Sequence, residues 1–111
     1  MSKNFISLPQ AKELTKRYRD NLKAIATPEY ANSLKNSETF DAAAVRAILD
    51  QPGCVEFRTY YGMKEDLSIC SIFIGVDEKG NDIINSTTNG GEDVIVEFGQ
   101  VCPPFCNDNM L

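Results

Sequence analysis

The 111-residue chain contains no histidine. Histidine is the usual general base, proton shuttle and imidazole metal ligand of enzymes, so its absence excludes a Ser-His-Asp or a Cys-His catalytic arrangement. Lysine and carboxylate bases stay open, but no spacing of these residues along the chain picks out a pair. We therefore expect a non-enzymatic protein that uses no cofactor.

The chain also lacks a long apolar run and an excess of basic residues. No stretch approaches the ~18 apolar residues of a membrane span, and the segment after Met1 does not have the apolar region of a signal peptide. Lysine and arginine number 11 against 16 aspartates and glutamates, which gives a net charge of −5, whereas proteins that bind phosphates need a basic face. We expect one cytoplasmic domain over residues 1–111 that binds neither a membrane nor nucleic acid.

The first half of the chain has the periodicity of helices. Ser7 and Gln10 form a capping-box pattern with Pro9 between them, and apolar residues then recur at three- and four-residue steps, at Ala11, Leu14, Tyr18, Leu22 and Ile25. This pattern predicts a helix over 8–26. Thr27-Pro28 predicts the start of a short second helix with Thr27 as its cap, and a third helix is expected over 39–50, ended by Pro52-Gly53.

The second half changes to the periodicity of strands. Residues 54–61 alternate, which predicts a half-buried strand, whereas 67–76 form a nearly continuous apolar run typical of a central strand buried on both faces. After a turn containing Gly80, we expect a short strand over 82–86, a polar loop over 87–91 and a last strand over 93–98. Short connections between consecutive strands imply antiparallel neighbours.

These elements predict an α+β fold. The helical part spans about 7–50 and the β part about 54–98, with two or three N-terminal helices packed on one face of a mostly antiparallel sheet of about four strands. An extended tail over 99–111 completes the domain.

The tail contains two of the four cysteines, in Cys102-Pro103-Pro104-Phe105-Cys106. Residues before proline favour extended backbone, and a polyproline-like path would place the two cysteine Cα atoms about 12 Å apart, whereas a disulfide needs about 4.4–6.8 Å. A Cys102–Cys106 disulfide therefore requires a chain reversal at Pro104-Phe105. A zinc site made by these two residues with Cys54 and Cys70 is a further hypothesis, weakened because Cys54 and Cys70 do not form a closely spaced pair. The simplest interpretation makes Cys54 and Cys70 small buried residues and Phe105 the anchor of a tail that lies over the sheet.

The end of the first long strand carries residues that are typical of interaction surfaces. Tyr60 and Tyr61 follow Arg58, and aromatic residues with arginine are enriched in binding hot spots. Alternation places one tyrosine in the core and the other on the surface. Arg58, Tyr60, Tyr61 and Phe105 are the candidate interaction residues.

Several short motifs together resemble a family of small uncharacterised bacterial proteins of the Bacteroidetes type. The matching segments are Ile6-Ser7-Leu8, Pro52-Gly53-Cys54, Arg58-Thr59-Tyr60-Tyr61-Gly62-Met63, Ile74-Gly75-Val76-Asp77, Gly80-Asn81-Asp82-Ile83 and the CPPFC tail. The resemblance implies no activity, and only that the chain is a complete protein.

Three functional hypotheses follow. The first is a protein-interaction or small structural domain, acting as a homodimer or with another protein. The second is a thiol-based metal or redox module that uses Cys102 and Cys106. The third is a small-ligand binder or an enzyme that uses carboxylate or lysine groups in a cleft between helices and sheet.

Overall fold

The computed structural model describes residues 3–84 and 94–111 and has an α+β fold. Its elements in chain order are α1 (Leu8–Ile25), a 3₁₀ turn (Pro28–Tyr30), β1 (Ser37–Thr39), α2 (Ala42–Leu49), β2 (Glu56–Met63), β3 (Ile69–Val76), β4 (Ile95–Val96) and β5 (Gln100–Cys102). The predicted loop over 87–91 and the adjoining ends of its two flanking strands lie outside the described residues.

Helix α1 begins as its sequence predicts. Ser7 Oγ accepts a hydrogen bond from Gln10 N at 3.2 Å, and Gln10 Oε1 accepts one from Ser7 N at 2.8 Å, which completes the capping box. Yet no residue of α1 is buried. The Tyr18 hydroxyl donates to Lys35 O at 2.6 Å, and Arg19 Nη1 donates to Leu111 O at 3.1 Å. Packing of this helix on the sheet is therefore not confirmed.

Helix α2 is the helix that packs against the three-stranded sheet. It begins at Ala42 because Asp41 is its N-cap and accepts a hydrogen bond from Ala43 N; a start at 39 is wrong, since 37–39 form β1. Ile48 is only 1% exposed. A Cβ on Gly75 would lie 2.9 Å from Gln51 Nε2 and 3.1 Å from Cys54 Sγ, so glycine there lets the segment that follows α2 pack closely on β3.

The shorter 3₁₀ turn replaces the predicted second helix. It begins at Pro28, but Thr27 makes no side-chain capping hydrogen bond.

Within the described residues, no helix combines the length and apolar character needed to cross a bilayer.

Strands β2 and β3 form an antiparallel hairpin within the sheet order β2-β3-β4, in a register from Glu56↔Val76 to Met63↔Ile69. The central position of β3 is thus confirmed. The hairpin turn is held by Asp66, whose Oδ1 accepts hydrogen bonds from Ser68 N at 3.0 Å and Ser68 Oγ at 2.6 Å. The hydrogen bond from the Ser68 hydroxyl lowers the pKa of Asp66 most, and the bond from the Ser68 backbone N–H lowers it further.

A single sheet of about four strands is not confirmed, because the described strands form two sheets. Besides the three-stranded sheet, β1 pairs with β5, with Ser37 opposite Cys102. The strand expected from Asp82 contributes one isolated bridge to Val76 in the described residues. The segment before α2 therefore takes the tail strand as its partner, a long-range pairing that local periodicity does not encode.

The second edge of β3 is closed by four different segments. Ile69 N donates to Ser33 O at 2.8 Å, Ser71 N donates to Glu38 Oε1 at 2.9 Å, Phe73 pairs with Val96 of β4, and Gly75 O accepts from Ile83 N at 2.8 Å, in that order along the strand. Every second residue of β3 therefore has at least one bond or pairing partner on this side among the described residues.

Candidate functional site

Strand β2 lies at the outer edge of the three-stranded sheet. Just beyond the strand, Lys64 N donates to Ser68 O at 2.9 Å, in phase with the β2–β3 register. In an antiparallel ladder the bonded residues alternate, so the even-numbered residues of β2 bond to β3. The peptide groups of the four odd-numbered residues, Phe57, Thr59, Tyr61 and Met63, point away from the sheet, and no strand in the described part of the chain pairs with them.

Three of the four side chains on this edge are large, mainly apolar and exposed. Tyr61 is 83% exposed, Met63 59% and Phe57 51%, and Phe57 makes an edge contact with Phe73 of β3 at a ring-centroid distance of 5.8 Å. Natural edge strands are usually protected by lysine, proline, a bulge or a covering segment, whereas β2 contains neither lysine nor proline. We call the outward peptide groups of the four odd-numbered residues, with their side chains, the β2 edge surface.

On the opposite face of β2, Arg58 and Tyr60 share one carboxylate. Arg58 Nη1 donates to Asp82 Oδ1 at 2.6 Å and Nη2 donates to Gly80 O at 3.3 Å, while the Tyr60 hydroxyl donates to Asp82 Oδ2. The pKa of the Arg58 guanidinium is raised mainly by its interaction with the Tyr60 hydroxyl and, to a smaller extent, by Asp82. These hydrogen bonds hold both side chains in place, and side chains that are already ordered lose less conformational entropy in any contact they make.

The structure brings three of the four candidate interaction residues together on β2. The expectation of one core and one surface tyrosine is wrong, since Tyr60 is 45% and Tyr61 83% exposed. The physical reason is the edge position of β2, because no layer of the described residues covers Tyr61. The Asp82 contact was not predictable, as it joins residues 24 apart in sequence.

Phe105, the fourth candidate, lies in the tail and is 62% exposed, so it does not anchor the tail. Cys102 and Cys106 form a disulfide with a Cα–Cα distance of 4.9 Å. The required reversal is made by the hydrogen bond from Phe105 N to Val101 O at 3.0 Å. Cys102 is buried within β5, and the bridge therefore ties the exposed tail to the β1–β5 sheet.

The other two cysteines are not joined to this bridge. Cys70 is buried, as predicted, and Cys54 is half-buried with its Sγ donating to Glu56 O at 3.2 Å. Burial is the main cause that raises the pKa of the Cys70 thiol, with Glu97 and Glu38 adding to it. Over residues 3–84 and 94–111, no group of three or more acidic or cysteine side chains is placed to hold a metal ion, and two of the four thiolates proposed for zinc are bonded to each other.

A cavity of about 250 Å³ lies between α1, the segment before α2 and the sheet, with Tyr18, Glu38, Tyr61 and Phe73 among its lining residues. Glu38 uses one carboxylate oxygen to hold Ser71 N, while its Oε2 is buried and has no hydrogen-bond partner in the part of the chain that the structure describes. Sequence reasoning missed Glu38, because nothing in the local pattern marks a glutamate that substitutes for a neighbouring strand.

In comparisons with known proteins, no protein-family model, curated sequence or solved structure matches the chain.

Proposed function

We propose that the chain is a non-enzymatic protein-interaction domain that binds another polypeptide at the β2 edge surface. The observation that carries this proposal is the contrast between the two long strands. Each of the four outward residues of β3 bonds to or pairs with another segment, whereas the four outward residues of β2 have no such partner among the described residues.

An added strand suits this surface for two reasons. The outward peptide groups supply main-chain hydrogen bonds, and alternate side chains supply specificity, which is the mode of β-strand addition. Phe57, Tyr61 and Met63 supply exposed apolar area next to those groups, and aromatic residues and methionine are enriched in interface cores. Arg58 and Tyr60, fixed by Asp82, extend the surface to the other face of the strand.

Position-specific photocrosslinking tests the proposal. A photoreactive benzoylphenylalanine in place of Tyr61 should give an adduct in cells that express the chain, and mass spectrometry should identify the protein attached. The matched control carries the same group in place of Lys79, an exposed residue of the turn after β3 that is not part of the β2 edge surface, and should give no comparable adduct.

A second substitution connects the adduct to strand pairing. Thr59→Pro removes an outward N–H that β3 does not use, which an edge strand tolerates, whereas Thr59→Ala keeps that N–H. The proline variant should lose the adduct and the alanine variant should retain it. Equal adduct yields at positions 61 and 79, or an adduct that survives Thr59→Pro, would show that the edge is not the binding surface.

A second candidate function is a small-ligand site in the cavity beside Glu38, favoured by the buried, unpartnered Oε2. A compound with an amine or hydroxyl donor would satisfy this oxygen. Ligand-observed NMR with a library of small amines and alcohols tests it, with Glu38→Gln as the comparison. Binding that the variant loses supports the site, and equal responses from both proteins, or none, reject it.

The cytoplasmic location stays a prediction. The Cys102–Cys106 disulfide opposes it, because disulfides persist mainly in oxidising compartments. Alkylation of the chain at the moment of cell lysis measures the redox state directly: a reduced pair supports a cytoplasmic location, and an oxidised pair argues for an oxidising compartment.

A further inference from the structure

We infer that the partner at the β2 edge surface is a second copy of this chain, paired antiparallel about a two-fold axis at Tyr60. This inference rests on the proposed function and names its partner. Two copies would join their three-stranded sheets into one continuous six-stranded sheet through a self-complementary interface of the kind that two-fold dimers use.

The phase of the backbone limits the registers that such a pair can adopt. Only the odd-numbered residues of β2 present outward peptide groups, so odd residues must face odd residues across the axis. With Tyr60 on the axis, Phe57 lies opposite the second copy's Met63, and Thr59 opposite its Tyr61. All four outward residues of each strand then find a partner, and none is left unpaired.

Charge selects this register over its neighbours. With Tyr60 on the axis, Glu56 lies opposite Lys64 of the second copy, and symmetry makes this ion pair twice. With Tyr61 on the axis, Arg58 would face Lys64, and directly opposed like charges destabilise strand pairing. With Thr59 on the axis, Glu56 would face Gly62 and both ion pairs would be lost.

The side chains fit the same register. Phe57 opposite Met63 is a sulfur–aromatic pair of two residues that are half or more exposed in the single chain. On the other face the two Tyr60 rings meet at a non-hydrogen-bonded position, where Cα atoms approach to about 4.5 Å. Gly62 lies opposite Arg58 and leaves room for its guanidinium, which Asp82 already orients.

Sedimentation equilibrium of the full chain, at loading concentrations about a hundredfold apart, measures the dimer by mass action. We expect a reversible dimer whose dissociation constant rises about tenfold in Glu56→Lys, since two attractive pairs become repulsive. The exchange Glu56→Lys with Lys64→Glu should restore the wild-type value, which a merely damaged fold would not do. Thr59→Pro should weaken the dimer about thirtyfold or more, because both copies lose a hydrogen bond.

Cysteine crosslinking tests the register in a Cys54→Ser background. Tyr60→Cys should give a disulfide-linked dimer, because the two Cα atoms lie within the roughly 4.4–6.8 Å that a disulfide spans. Thr59→Cys is the matched control and should stay unlinked, since in this register it faces Tyr61 and not itself. Linkage at position 59 and not at 60 would overturn the register.

The outcomes separate this inference from the proposed function. A chain that is monomeric at every concentration, but whose position-61 adduct is a different protein, refutes the self-pairing and leaves the interaction domain standing. A dimer unaffected by Thr59→Pro and by the charge exchange places its interface elsewhere and refutes the inference. The absence of any specific adduct at position 61, together with a monomer, refutes both.

Discussion

Removal of the Glu38 carboxylate should destabilise the fold by opening the edge of β3. Glu38 Oε1 accepts a hydrogen bond from Ser71 N at 2.9 Å, at a point on β3 that β4 does not reach. Hydrogen bonds to charged groups contribute about 1.5–3 kcal/mol net. Glu38→Ala should therefore lower the free energy of unfolding by this amount, whereas Glu38→Gln keeps a carbonyl acceptor and should stay within about 1 kcal/mol of wild type.

Urea denaturation at neutral pH measures this difference, at concentrations low enough to keep the chain monomeric, with the slope m expected to be unchanged. Glu65→Ala is the control, because Glu65 is an exposed turn residue and a surface change of this kind stays within about 0.5 kcal/mol. Hydrogen exchange of the Ser71 amide should accelerate in Glu38→Ala alone. If Glu38→Ala behaves like the control, or Glu38→Gln loses as much as Glu38→Ala, the carboxylate does not act as a substitute strand.

Three further predictions concern the turn and the cysteines. Leu67 has a φ of 70°, a conformation that costs a residue with a Cβ about 1–2 kcal/mol; Leu67→Gly should therefore stabilise the chain by about 1 kcal/mol in urea titrations, and Leu67→Ala, which keeps the Cβ, should show no gain. Reduction of the Cys102–Cys106 bridge should lower stability by about 2 kcal/mol, the chain-entropy value for so small a ring, and a Cys106→Ser variant should not respond to reductant; an equal response from both would contradict this role. Because burial raises the pKa of the Cys70 thiol above its ordinary value of 9.0, its contribution to stability is complete below that pH and is lost as the pH rises through the folded pKa. The difference in unfolding free energy between wild type and Cys70→Ala should then shrink in alkaline solution, and a difference that stays constant with pH would contradict this linkage. Iodoacetamide should label Cys54 before the buried Cys70.

The elements that depend on neighbouring residues were predictable. The capping box at Ser7 and Gln10 placed the start of α1, and the apolar run over 67–76 identified β3 as the central strand. The start of α2 was misplaced although a local signal was present, since Asp41 before three alanines is a strong N-cap. Each of these features is set by contacts within a few residues, which a sequence displays directly.

The candidate site, in contrast, could be predicted from the sequence only in part. Composition and the tyrosine-arginine cluster pointed to an interaction surface, yet the sequence did not reveal that β2 is an edge strand. That outcome depends on which segments close the other side of β3, and these include Ser33 and Glu38, both more than 30 residues from the residues they bond.

The sequence by itself therefore determined the fold class, the helix signals, the hairpin and the lack of histidine chemistry. Only the tertiary structure decided that β1 takes the tail strand as its partner, that Asp82 holds Arg58 and Tyr60, and that β2 is left open. The physical reason is that helix caps and hairpins are local, whereas the second edge of a strand is satisfied by whatever peptide groups or side chains the whole fold brings beside it.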